Sequence, residues 1–155
     1  MSEVSLLQLF TDDIDAAERL LQLLDDEFQA LEQRDLPRLR QLLDGKLPLM
    51  QQLELHARQR GDILRQAGVN VDREGLVQLA GRSADGGQLL EQGDRLAELL
   101  DRLQLANQRN GRIIRAGQAS TGRLLDILRG QDSPNLYDRH GGATQGARQR
   151  PLSQA

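Results

Sequence analysis

Cysteine and tryptophan are absent from the 155 residues, aromatic side chains make up only 2%, and histidine occurs twice, at His56 and His140. Without cysteine there is no disulfide, no thiolate zinc site and no cysteine nucleophile, and redox arguments leave the compartment open. No run approaches the ~18 uninterrupted apolar residues that a membrane helix needs. The start, MSEVSLLQLFTDD, lacks the basic segment of a secretory signal. A cytoplasmic protein with no stable membrane insertion is expected. The net charge of -3 supplies no overall basic field for nucleic acid or anionic lipid. What is abundant is leucine, 31 residues, and glutamine, 19 residues, alongside glutamate and arginine, all good helix formers. A core so rich in one side chain has large area but little variety of shape, which specifies packing loosely.

Periodicity turns this composition into elements. Leu7, Ile14, Leu21 and Phe28 recur every seven residues, with Phe10, Ala17, Leu24 and Leu31 three further on, and Leu6, Leu9, Leu20 and Leu23 widen the stripe. One broad face of a first helix should be buried. Asp35 followed by Pro37 reads as the cap and first turn of a second helix. That helix keeps Leu36, Leu43, Met50, Ala57 and Leu64 at seven-residue spacing, although Lys46 and Arg60 interrupt the companion positions. Pro48 should kink or split it, and Ala67-Gly68 should end it. A short capped helix is expected after Asp72, ending near Gly81.

From Asp85 a third long helix places Leu89, Leu96, Leu103 and Leu124 in one column and Leu100, Ile114 and Leu128 in the next. Asn107, Asn110, Gly111, Gly117, Ser120, Thr121 and Gly122 weaken its middle. The expected fold is all-α: an elongated antiparallel helical bundle or coiled coil of three long helices plus a short one over residues 1–130, with a flexible tail over 131–155. The tail is rich in Gly, Gln, Ser and Arg and has too little apolar surface to fold alone.

Charge is sorted by element. Residues 1–35 carry -8 and residues 36–67 carry +3, so antiparallel neighbours should pair along their rims. Residues 85–101 carry -4, whereas residues 102–129 carry +5. The second half of the last helix is therefore basic and edged with leucine. Arg102, Arg109, Arg112, Arg115 and Arg123 would suit phosphates, but no aromatic side chains interleave with them. The plainer reading has them facing the acidic first helix or solvent, and no nucleic-acid partner is expected.

Chemistry is poorly supported. A nucleophile needs a nearby base, yet His56 sits on a helix, where it reads as a rim residue, and His140 lies in the tail. Asp12-Asp13 and Asp25-Asp26-Glu27 read as a solvated face rather than metal ligands. No Glu-x-x-His pair, GxxxxGK[ST] or GxGxxG motif occurs. Neither an enzyme nor a cofactor is expected. What remains is recognition of another helix through i, i+3, i+4 and i+7 anchors. The candidate surface is Ile113, Ile114, Leu124, Leu125, Ile127 and Leu128, which flank the glycine-rich interruption. Ordinary bundle core is the equally open reading for these residues.

Asn110-Gly111, Ile113-Ile114, Leu124-Leu125 with Leu128, then Tyr137-Asp138 and Gly141 form a pattern across Asn110 to Ala143. This segment resembles the C-terminal signature of FlgN-type flagellar export chaperones. The resemblance implies a cytoplasmic chaperone of type III flagellar export that binds the amphipathic helical termini of the hook-filament junction proteins FlgK and FlgL before secretion. It also implies that Tyr137 docks at the flagellar export gate or on ATPase components, although a ring folded back on the bundle is equally open. The competing class is a self-associating structural bundle, and a homo-oligomer of the free protein fits either reading.

Overall fold

The computed structural model describes residues 3–129, with side chains from Leu6 onward, and the expectations for the tail and for Tyr137 lie outside the described residues. Four helices follow in order: α1 (Glu3–Gln33), α2 (Leu36–Gln66), α3 (Arg73–Ala80) and α4 (Gly86–Leu128). No strand occurs among the described residues. Asp35 caps α2, its carboxylate accepting from the Arg38 amide, with Pro37 in the first turn. The link from α1 is a single tight reversal in which Arg34 adopts φ 56°. Ala67 ends α2, followed by Gly68 at φ 76°, a left-handed conformation that glycine adopts without steric cost. Asp72 caps α3 by accepting from the Gly75 amide at 2.8 Å.

One expectation is corrected in part. Pro48 does not split α2, which runs unbroken through it. The proline removes one backbone donor, but the packing of α2 along α1 holds both halves in one helix. The polar, glycine-bearing stretch lies inside one continuous α4, the third long helix that the spacing predicts.

The described residues divide into two units, 3–112 and 113–129. In the first, α2 runs antiparallel to α1, since Lys46 meets Glu27 whereas Arg60, further along α2, meets the earlier Asp13. α4 runs parallel to α1, its Arg95 facing Glu18 and its Arg109 facing Asp25. The core joins Leu6, Phe10, Ile14, Ala17, Leu20 and Leu24 to Ile63, Leu64, Leu76 and Leu79, and to Leu89, Leu96, Leu99, Leu103 and Ala106. The α1 stripe and Leu89, Leu96 and Leu103 thus lie where their spacing put them, whereas Leu124 of that column and Leu100, Ile114 and Leu128 of the next are exposed.

The second helix turns a different face inward. Leu42 is buried, Leu49 and Leu53 pack on the core, and Lys46, His56 and Arg60 lie among them. The column read as its seam is mostly outside: Leu36 is 68% exposed, Leu43 48% and Met50 45%, with only Leu64 enclosed. In the second unit the described residues are the last part of α4, and Ile114, Leu124, Leu125, Ile127 and Leu128 are exposed there.

Candidate functional site

The polar groups inside the first unit explain which faces are left over. Asp13 is fully buried on α1, and its carboxylate accepts from His56 Nδ1 at 2.6 Å, from Arg60 and from Gln52 Nε2. His56 is therefore a largely buried partner of an α1 acid rather than a rim residue; its side chain keeps 18% exposure. Further along α1, Glu27 accepts from Lys46 Nζ at 2.5 Å and from Asn110 Nδ2 at 2.8 Å. Asn110 donates again to the Leu24 carbonyl at 2.8 Å and is only 1% exposed. Its side-chain oxygen accepts from Arg109 Nε. Arg109 also reaches Asp25 and stacks over Phe28 at 4.3 Å, which seats this arginine against the acidic helix. Every buried side-chain nitrogen and oxygen among the described residues has a partner.

Asn110 is informative because it continues the Leu89-Leu96-Leu103 spacing by one more step. A lone asparagine in a seam costs stability relative to leucine but fixes register, since only one alignment supplies its partners. Here those partners are Leu24 and Glu27, so the latch sets how α4 lies along α1. The signature Asn110-Gly111 thus marks the last tied position of the first unit.

Beyond it α4 changes character. Ile113 is half-buried, Ile114 is 42% exposed, Leu124 60%, Leu125 42%, Ile127 61% and Leu128 80%. Ile127 and Leu128 stand at i+3 and i+4 from Leu124, and Ile113 and Ile114 lie eleven residues, about three turns, before Leu124 and Leu125, so these residues contribute to a discontinuous apolar face. Between its two ends stand Gly117, Ser120, Thr121 and Gly122, all exposed; Thr121 Oγ1 donates back to the Gly117 carbonyl at 3.0 Å. Small side chains in the middle of a face let a partner backbone approach closely. Arg112, Arg115, Arg123 and Arg129 surround the face with positive charge, against Asp126 alone.

Among the described residues no group of three or more His, Asp or Glu side chains is placed to hold a metal ion, and no helix is long and apolar enough to cross a membrane.

Fold and surface together define the chain as a leucine-rich, all-helical protein whose first unit packs around buried ion pairs. The comparisons name the class. The family model described as FlgN protein matches residues 1–145. A crystal structure at 1.48 Å resolution of a flagella synthesis protein FlgN from Pseudomonas aeruginosa is 60% identical, covering 83% of this chain and 98% of that one, with a TM-score of 0.71. No curated protein matches the sequence. The chain belongs to the FlgN family and is a flagella-related protein.

Proposed function

We propose that this FlgN-family chain is a cytoplasmic chaperone of the flagellar type III export pathway, not an enzyme, and that it holds the amphipathic helical termini of FlgK and FlgL until they are delivered to the export gate. The observation that carries this reading is the exposed face formed by Ile114, Leu124, Leu125, Ile127 and Leu128 on a helix that is otherwise firmly tied at Asn110. A cargo terminus destined to pack in an assembled tube exposes an apolar stripe that self-associates when unpartnered. The α4 face offers a substitute, with Ile113 at its margin. The basic border favours cargo helices flanked by acidic residues. Affinity stays moderate because the face lacks aromatic anchors, which suits release. Tyr137 is assigned to docking at the export gate or its ATPase components.

The test is capture of FlgK and FlgL terminal peptides by the full chain and by Leu124→Asp/Leu128→Asp. Binding should be lost while helicity and the unfolding midpoint stay unchanged. Undiminished binding by the double variant refutes the assignment. Substitution is preferable to truncation after Gln104, because such a cut removes Ala106 and Asn110 and damages the bundle itself. For Tyr137, replacement by alanine should spare cargo binding and abolish retention by export-gate components.

A further inference from the structure

We propose that the outward column of α2 is a homodimerisation face, occupied by the same face of a second copy running antiparallel. Leu36, Leu43, Met50 and Ala57 recur every seven residues, and Leu47 falls between them; all five are exposed, the four large ones by 45% or more. Seven-residue spacing over this length matches a facing helix rather than a small molecule or a flat surface. The column does not stop at Ala57. It runs into a cavity of about 270 Å³ floored by Phe10, Leu64 and Leu76 and edged by Ala57, Gly61 and the half-exposed Val71.

Charge identifies the occupant. The cations that α2 directs inward, Lys46 and Arg60, are consumed by Glu27 and Asp13, so they do not colour the outer face. The outer edge carries Arg40 toward one end and Glu54 toward the other. With a two-fold axis beside Leu47, residues equally far from 47 along two antiparallel copies of α2 stand opposite each other. Leu47 then meets Leu47 of the second copy, Leu43 packs beside its Met50, and Leu36 beside its Ala57. In the same register Arg40 faces Glu54 of the second copy, and the symmetry makes that ion pair twice. A two-fold interface must be self-complementary, and this face is so in both its apolar and its charged positions. Glu54 already lies near Arg58 within the helix, at 3.9 Å, so the incoming Arg40 extends an existing pair into a network.

The experiment is sedimentation or light scattering of the full chain across the micromolar range. The wild type should pass from monomer to dimer with rising concentration, and Leu43→Glu/Met50→Glu should stay monomeric with unchanged helicity. Arg40→Glu turns two attractions into two repulsions and should raise the dimer Kd by about tenfold, with the double reversal Arg40→Glu/Glu54→Arg restoring it to within about threefold. Leu124→Asp/Leu128→Asp should dimerise like the wild type, so failure of the cargo assignment leaves this one standing and the reverse also holds. A wild type that is monomeric throughout, or a double reversal that stays as weak as Arg40→Glu, overturns the proposal. So does loss of cargo capture by Leu43→Glu/Met50→Glu in a protein that never dimerises, since the face would then belong to the cargo.

Discussion

Replacing Asp13 by alanine tests whether the buried charges organise the bundle. The carboxylate has no exposure and three donors, while the side chains of Arg60 and His56 keep 13% and 18% exposure. Removing one partner of a buried pair typically costs ~3–5 kcal/mol because the other is left desolvated and unpaired. Arg60 is also held over the Phe10 ring, 5.5 Å from its centroid, which limits its escape to water. Its residual exposure permits some relaxation, which places the loss at the lower end, about 3 kcal/mol. With an m-value of about 2 kcal/mol/M in urea, the unfolding midpoint should fall by about 1.5 M. The diagnostic control repeats the substitution in an Arg60→Met/His56→Leu background, where no cation or imidazole is stranded. There the cost should shrink by about 2 kcal/mol or more, a coupling that a double-mutant cycle reads directly. A loss below about 1 kcal/mol in the wild-type background, or equal losses in both backgrounds, would refute the reasoning.

Asn110→Ala should cost about 1–3 kcal/mol in urea unfolding, because Glu27 and the Leu24 carbonyl each lose a donor, and Asn110→Asp should cost more by setting a second carboxylate beside Glu27. Gly86→Ala should lower Tm sharply, since a Cβ there collides with the Ala80 carbonyl oxygen; the adjacent Gly87→Ala meets open space and should change stability by no more than ~1 kcal/mol, in the stabilising direction. Hydrogen bonding and the charge of Arg73 hold the exposed Asp94 carboxyl below its ordinary range. A carboxyl whose folded pKa is depressed contributes stability above its unfolded pKa and loses it as pH falls through the folded value. The Tm difference between wild type and Asp94→Asn should therefore be present at neutral pH and vanish in acid.

The sequence made the local punctuation legible and hid the inner face of α2. Asp35, Pro37, Asp72 and Gly81 act through their own backbone neighbourhood, so their meaning needs no knowledge of the fold. The α1 stripe was equally clear because its inward positions are mostly apolar. In α2 two columns compete, and counting apolar residues favours Leu36-Leu43-Met50-Ala57. The inner column carries Lys46, His56 and Arg60, which look like solvent positions until their partners are known. A signal did exist. Asp13 and Glu27 stand two heptads apart on α1, and Lys46 and Arg60 stand two heptads apart on α2. An antiparallel hairpin turning at Arg34-Asp35 brings Asp13 to Arg60 and Glu27 to Lys46 in one register. Asn110 was hidden for the same reason, its side chain being spent on a carbonyl and a carboxylate of another helix. The exposure of Leu124 and Leu128, by contrast, is not encoded in their own spacing, which fits core and docking face alike.

The competition between the two faces of α2 can be settled by magnitude. Turning α2 by about 100°, the angular step of one residue, would bury Leu36, Leu43, Leu47 and Met50 against α1. Each is now 45–68% exposed, so each would gain about 1–2 kcal/mol. The same rotation would withdraw Leu42, Leu49 and Leu53 from the core and return most of that gain to water. It would also carry Lys46, His56 and Arg60 away from Glu27 and Asp13, stranding two carboxylates in the interior at several kcal/mol each. The apolar terms nearly cancel and the buried charges decide. In a chain with 31 leucines, more apolar columns exist than one small bundle can enclose, and hydrophobic burial alone would not say which to choose. Asp13, Glu27 and Asn110 make that choice. They keep the Leu36-Leu43-Met50 column of α2 on the outside.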